Sequence, residues 1–143
     1  ATREVVSPVG TLSPYGRVEA ETIAFSEGVH TEPNAQTGIY VSDIHNGDYI
    51  KVREVDFGKK SPRQFTATVA SALRGGRMEV RLDSIGGEMV TQINVPHTGG
   101  WEEWLSIDSA VDGKVKGVHD VYFVFRGRKG CKLFNFDWWG FSR

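Results

Sequence analysis

Glu19 and Glu21 stand either side of Ala20 near the start of the chain. In an extended strand residues i and i+2 share a face, so the two carboxylates project together. Like charges that close repel unless a cation or a base lies between them. Two readings follow. One is a solvated edge strand; the other is a calcium site, since Ca²⁺ takes roughly 6–8 oxygen ligands and accepts carboxylates and backbone carbonyls. A remote aspartate could complete such a set.

Trp101 follows the pair Gly99-Gly100. An indole on a glycine loop is poorly placed for a core. Exposed there, it offers the flat apolar face on which a sugar ring stacks, while nearby amides and carboxylates bond the hydroxyls. The densest aromatic run is Phe134-Asn135-Phe136-Asp137-Trp138-Trp139. Phe134, Phe136 and Trp138 are assigned to the core, and the interleaved Asn135 and Asp137 must face something polar.

Signs of catalysis are few. The histidines His30, His45, His97 and His119 are scattered, each near a turn. His30-Thr31-Glu32 imitates the H-x-E of zinc deaminases, but no C-x-x-C follows it. There is no G-x-S-x-G, no P-loop and no H-E-x-x-H. A glycosidase pair could hide among the 18 acids, because such a pair is defined in space. A hydrolase cleft in so small a domain is uncommon, and the expectation is a protein that is not an enzyme.

The elements that must position these residues are strands. The 143 residues make about one domain, large enough for a core. Net charge is −1 with no basic stripe suited to phosphates, so no nucleic-acid partner is expected. Apolar runs are too short to span a membrane, and ATREVVSPVG shows no secretory signal. The single cysteine, Cys131, permits no internal disulfide. Residues 1–12 read as a linker or N-terminal extension and residues 13–143 as the domain. Seventeen glycines and short bursts of Val, Ile, Thr, Tyr and Phe give an all-β profile.

Nine strand runs are expected: Arg17–Phe25, Tyr40–Ile44, Asp48–Val55, Gln64–Ala72, Met78–Asp83, Glu88–Val95, Glu103–Ile107, Val121–Arg126 and Leu133–Trp139. Asn46-Gly47-Asp48, Gly75-Gly76, Gly86-Gly87, Gly99-Gly100 and Asp112-Gly113 supply turns between them. That number of strands in one domain favours a two-sheet antiparallel β-sandwich.

With these residues in view, the chain resembles the family 6 carbohydrate-binding modules of plant cell-wall hydrolases. The blocks SPYGRVEAE, GVHTE, HNGDYI, VDFG, VASAL, EVRLDS, VPHTGGWEEW, HDVYFVFRG and LFNFDWWGF carry the resemblance, from about Ser13 to Phe141. It implies a jelly-roll-like sandwich and a structural Ca²⁺ held by Glu19, Glu21 and Asp137, with a backbone oxygen near Thr31. It also implies a loop site that pinches a sugar between a Trp and a Tyr, with Asn and Glu bonding the hydroxyls. Trp101, Asn135 and Glu32 match that Trp, Asn and Glu; Asp43 stands where the Tyr is expected. Tyr40 has the opposite strand parity and is not expected to replace it. A second site on the concave sheet face would use Tyr49, beside Lys51 and Arg53, with Glu79 and Arg81 on a neighbouring strand.

The implied function is binding of plant cell-wall β-polysaccharide, foremost xylan or xylo-oligosaccharides. Alternatives are a β-glucan read through Tyr49, or a spacer whose sugar site is disabled. The resemblance further implies a secreted monomer, covalently linked to a glycoside hydrolase.

Overall fold

The computed structural model describes residues 11–20, 25–34, 38–111 and 114–143, with 25–27, 30, 32–34, 38 and 39 described by backbone alone. Eleven strands occur among them: β1 (Val18–Glu19), β2 (Phe25–Glu27), β3 (His30–Asn34), β4 (Gly38–Ser42), β5 (Tyr49–Asp56), β6 (Gln64–Ala70), β7 (Gly76–Leu82), β8 (Met89–Val95), β9 (Leu105–Ala110), β10 (Val118–Arg126) and β11 (Asn135–Ser142). They form two antiparallel sheets. One has the order β3-β4-β11-β6-β9, with β1 also on β11; the other runs β2-β5-β10-β7-β8. The expected all-β, two-sheet sandwich is the observed architecture.

Period-2 patterning explains where the core sits. In β6, Phe65, Ala67 and Val69 point inward and are fully buried, and in β5 the same holds for Ile50 and Val52. They meet Phe123 and Phe125 of β10 and Phe136, Trp139 and Phe141 of β11. The rings of Phe123 and Trp139 lie 5.0 Å apart across the sheets, and those of Phe65 and Phe141 are equally close. Burying each such ring is worth about 1.5–3 kcal/mol.

Two expectations about the chain's course change. Arg17–Phe25 is not one strand: β1 joins one sheet and β2 the other. The second concerns Leu12, the last residue of the expected extension, residues 1–10 lying outside the described residues. Leu12 bridges to Val55, donating to Glu54 and accepting from Asp56 at 2.9 Å each, and packs against the core.

Strand β11 is central and carries one irregularity. Its register with β6 shifts between Phe136↔Val69 and Trp138↔Thr68, leaving Asp137 as a bulge. The extra residue changes the parity: Phe136 is inside, Trp138 outside and Trp139 inside. Trp138 is therefore not the core residue expected from simple alternation; Arg17 covers its ring instead, at 5.2 Å, and Trp139 fills the core. Beyond the bulge Gly140 must lack a side chain, because a Cβ would strike the Gly16 carbonyl oxygen of the segment crossing it.

Candidate functional site: a tryptophan loop at one end of the sandwich

The loop from Thr98 to Trp104 lies over the C-terminal end of β6 and the start of β11. Thr98 staples it down: its backbone N–H donates to the Ser71 carbonyl at 2.9 Å, and its hydroxyl accepts from the Ser71 N–H at 2.9 Å. The Asn135 side-chain amide donates to the Trp101 carbonyl at 2.8 Å. Asn135 is buried, so this bond replaces water the amide has lost. Trp101 itself is half-buried, and the Lys132 ammonium stands 5.7 Å from its ring centre. A concavity of about 370 Å³ shares Lys132 and is lined also by Leu73, Arg74, His97 and Cys131.

Tyr40 contributes in a way the sequence did not announce. It is buried, donates its hydroxyl to Glu102 at 3.1 Å, and meets Trp104 edge-on at 5.2 Å. It braces the loop from below rather than offering a stacking face. The signal available in the sequence was Trp101-Glu102-Glu103-Trp104, whose second tryptophan needs a packing partner.

The other expected loop residues take these places. Asp43 follows β4, whose Val41 pairs with Phe136, so it belongs to the same end of the sheet as Asn135. Its φ is 59°, in the left-handed region that Asp and Asn tolerate better than other non-glycine residues. That turn ends the alternation of β4. Its carbonyl lies 3.1 Å from the His45 ring Nδ1. Glu32 sits on β3 directly opposite Tyr40. Tyr49 is elsewhere: it opens β5 in the other sheet, 6.0 Å ring to ring from Tyr122.

On the outer face around Tyr49, Lys51 is 3.7 Å from Asp120. Glu79 accepts from Arg77 at 2.9 Å and from Arg81 at 3.0 Å, with Arg126 at 3.6 Å. Burial alone would push the Glu79 carboxyl up. The hydrogen bonds from Arg81 and Arg77, with the charges of Arg81 and Arg126, outweigh burial and hold it below the usual carboxylate range.

Among the expected calcium ligands, Glu19 and Asp137 meet at one guanidinium. Arg17 is 2.8 Å from Glu19 and 3.8 Å from the buried Asp137. The Asp137 carbonyl accepts from Ala20 at 2.8 Å, tying β1 to the bulge. Thr31 pairs with Val41, which pairs with Phe136, so β4 separates it from β11. Glu21 lies outside the described residues. Among the described residues no three His, Cys, Asp or Glu side chains cluster for a metal. The donors that do converge are hard carboxylate oxygens, the type a divalent calcium takes.

Comparison with known proteins decides the family. The profile described as carbohydrate binding module (family 6) matches residues 19–143. The chain belongs to that family. It is a non-catalytic carbohydrate-binding module. A module from Clostridium cellulolyticum, solved in complex with xylose, is 41% identical, with a TM-score of 0.87 over 92% of this chain and 100% of that one. A β-1,3-glucan-binding module from Bacillus halodurans is 32% identical, with a TM-score of 0.87 over 94% of this chain and 100% of that one. An arabinoxylan arabinofuranohydrolase of Bacillus subtilis is 47% identical over 96% of this chain, which spans only 28% of that enzyme.

Proposed function

We propose that this module binds xylan or xylo-oligosaccharides through the Trp101 loop. The observation that carries the reading is the bond from Asn135 to the Trp101 carbonyl at 2.8 Å. It fixes an indole beside a buried amide, the pairing of flat apolar face and fixed polar group that a sugar ring needs. The identity with an arabinoxylan-processing enzyme and the xylose complex of a related module favour xylan over glucan. Asp43 in place of a second ring removes one stacking face, worth about 1 kcal/mol, and adds a carboxylate acceptor for hydroxyls. The module is proposed to act outside the cell as a monomer joined to a glycoside hydrolase, raising that enzyme's effective concentration at an insoluble substrate.

Calcium is proposed as a structural ion. Glu19 and Asp137, with Glu21 and a carbonyl near Thr31, would hold it and tie β1 to β11. It supplies no chemistry to binding beyond that tie.

Affinity electrophoresis against xylan, mixed-linkage glucan, laminarin and a sugar-free gel tests the reading. Retardation in xylan that Trp101→Ala abolishes supports it. Retardation that survives Trp101→Ala but falls with Tyr49→Ala moves the site to the other sheet, and none in any gel would make the module a spacer.

A further inference from the structure

Far from the Trp101 loop, the sandwich carries a concavity of about 580 Å³ lined by Lys59, Lys60, Arg63, Lys114, Lys116 and Arg143, with Ser61 as the seventh lining residue. Six of the chain's 17 lysines and arginines thus face one hollow with no carboxylate side chain among the described residues of its lining, although the chain as a whole carries −1. Arg143 directly follows β11, whose other end is Asn135, so this basic pole and the Trp101 loop terminate the same strand, about 25 Å apart at ~3.3 Å per residue.

The cations are held together by backbone bonds. The Ser61 hydroxyl accepts from the Val115 N–H at 2.9 Å, Gly117 donates to the Gly58 carbonyl at 2.9 Å, and Phe57 donates back to Gly117 at 2.8 Å. These bonds clamp the segment bearing Lys59 and Lys60 against the one bearing Lys114 and Lys116. Arg143 stacks on Tyr15 at 4.0 Å and donates to the carbonyls of Phe57 and Lys60 at 3.3 Å each. Like charges fixed side by side repel, and an anion between them relieves the repulsion.

We propose that this pole is a second binding surface, for a carboxylate-bearing polysaccharide such as a polyuronate. Among the described residues the lining holds four lysines and no aromatic ring, the Tyr15 ring being covered by Arg143. Lysine is a flexible point charge suited to carboxylates spaced along a chain, and the lack of a ring withholds the base stacking on which single-stranded nucleic-acid sites rely. Binding here is driven by charge and falls as salt rises, because the screening length shrinks from about 10 Å at 0.1 M to about 3 Å at 1 M.

The test is affinity electrophoresis in polygalacturonate, in its carboxyl-reduced form, and with single-stranded oligothymidylate as competitor. The proteins are the wild type, Trp101→Ala, and a variant carrying Lys59→Gln, Lys60→Gln, Lys114→Gln and Lys116→Gln. All four lysines are exposed, so the variant should melt with the wild type, which circular dichroism checks. Expected is retardation in polygalacturonate that Trp101→Ala retains, the quadruple variant weakens at least tenfold, and the reduced polymer does not produce. No retardation of the wild type overturns the proposal. So does retention by the quadruple variant, loss with Trp101→Ala, equal retardation by the reduced polymer, or competition by the oligonucleotide as effective as by polygalacturonate. Because Trp101→Ala separates the two poles, either site can fail without the other.

Discussion

Asn135 and Trp101 are joined by a single hydrogen bond, 2.8 Å from the side-chain amide of one to the backbone carbonyl of the other. The bond makes Asn135 part of the mounting of the indole, beyond any role it has toward a hydroxyl. Asn135→Ala should therefore act twice. Loss of the bond destabilises the fold by about 1 kcal/mol, and xylan retention falls with it. Thermal melting beside affinity electrophoresis checks both; retention unchanged in a variant of lowered melting temperature would confine Asn135 to structure.

Tyr40→Phe removes the hydroxyl that meets Glu102 and keeps the ring on Trp104. The expected result is a stability loss of about 1 kcal/mol and a retention several-fold weaker, since the loop keeps its apolar support. Titration with xylohexaose gives the affinity; Glu102→Gln should reproduce part of the loss.

Asp43→Tyr restores a ring at a position whose φ of 59° disfavours one. The variant should lose about 1 kcal/mol of folding stability, and so melt at a lower temperature, while binding xylo-oligosaccharides more tightly, the second stacking face outweighing the lost acceptor. Calorimetric titration beside thermal melting would show the two changes with opposite signs.

For calcium, melting in excess Ca²⁺ and in chelator should differ by several degrees, because an ion at 100 times its dissociation constant stabilises by about 2.7 kcal/mol. Asp137→Asn and Glu19→Gln should each flatten the response. A melting temperature indifferent to calcium in the wild type removes the ion from the account.

Glu79 makes stability depend on acid. Its folded carboxyl titrates below the unfolded one, so its contribution is complete above the unfolded value, about 4.3, and is lost as pH falls through the folded value. Urea midpoints between pH 6 and pH 2.5 should fall more for the wild type than for Glu79→Gln, whose arginines have already lost their carboxylate.

The sequence was most readable where one strand face meets the core. β5 and β6 show it, with Ile50 and Val52, and Phe65, Ala67 and Val69, all buried as alternation requires. β3 escaped notice because Pro33 interrupts a run with little apolar character, and an edge strand tolerates that. Trp101 was legible from its two glycines. The brace under it was not, since Tyr40 and Glu102 are 62 residues apart and meet only through the fold. Asp43 was flagged by its chemistry, but the left-handed turn that it makes had no marker. Trp138 and Trp139 exchanged places because a bulge is a property of the pair β11 and β6, invisible in either strand alone.

That bulge has a genetic consequence. Asp137 divides β11 into two halves written in opposite phase: upstream Asn135 looks outward and Phe136 inward, downstream Trp138 looks outward and Trp139 inward. Removing this one codon while Trp139 and Phe141 stay seated would bring the two halves into one phase, with Phe136 still inside opposite Val69, but the strand would lose the buried carboxylate and the carbonyl that accepts from Ala20. The longer-range effect would be to loosen β1 without altering any residue of that strand. A residue added elsewhere between Asn135 and Trp139 would instead turn one half of the strand over, so the count along β11 constrains the fold as firmly as the identity of its residues.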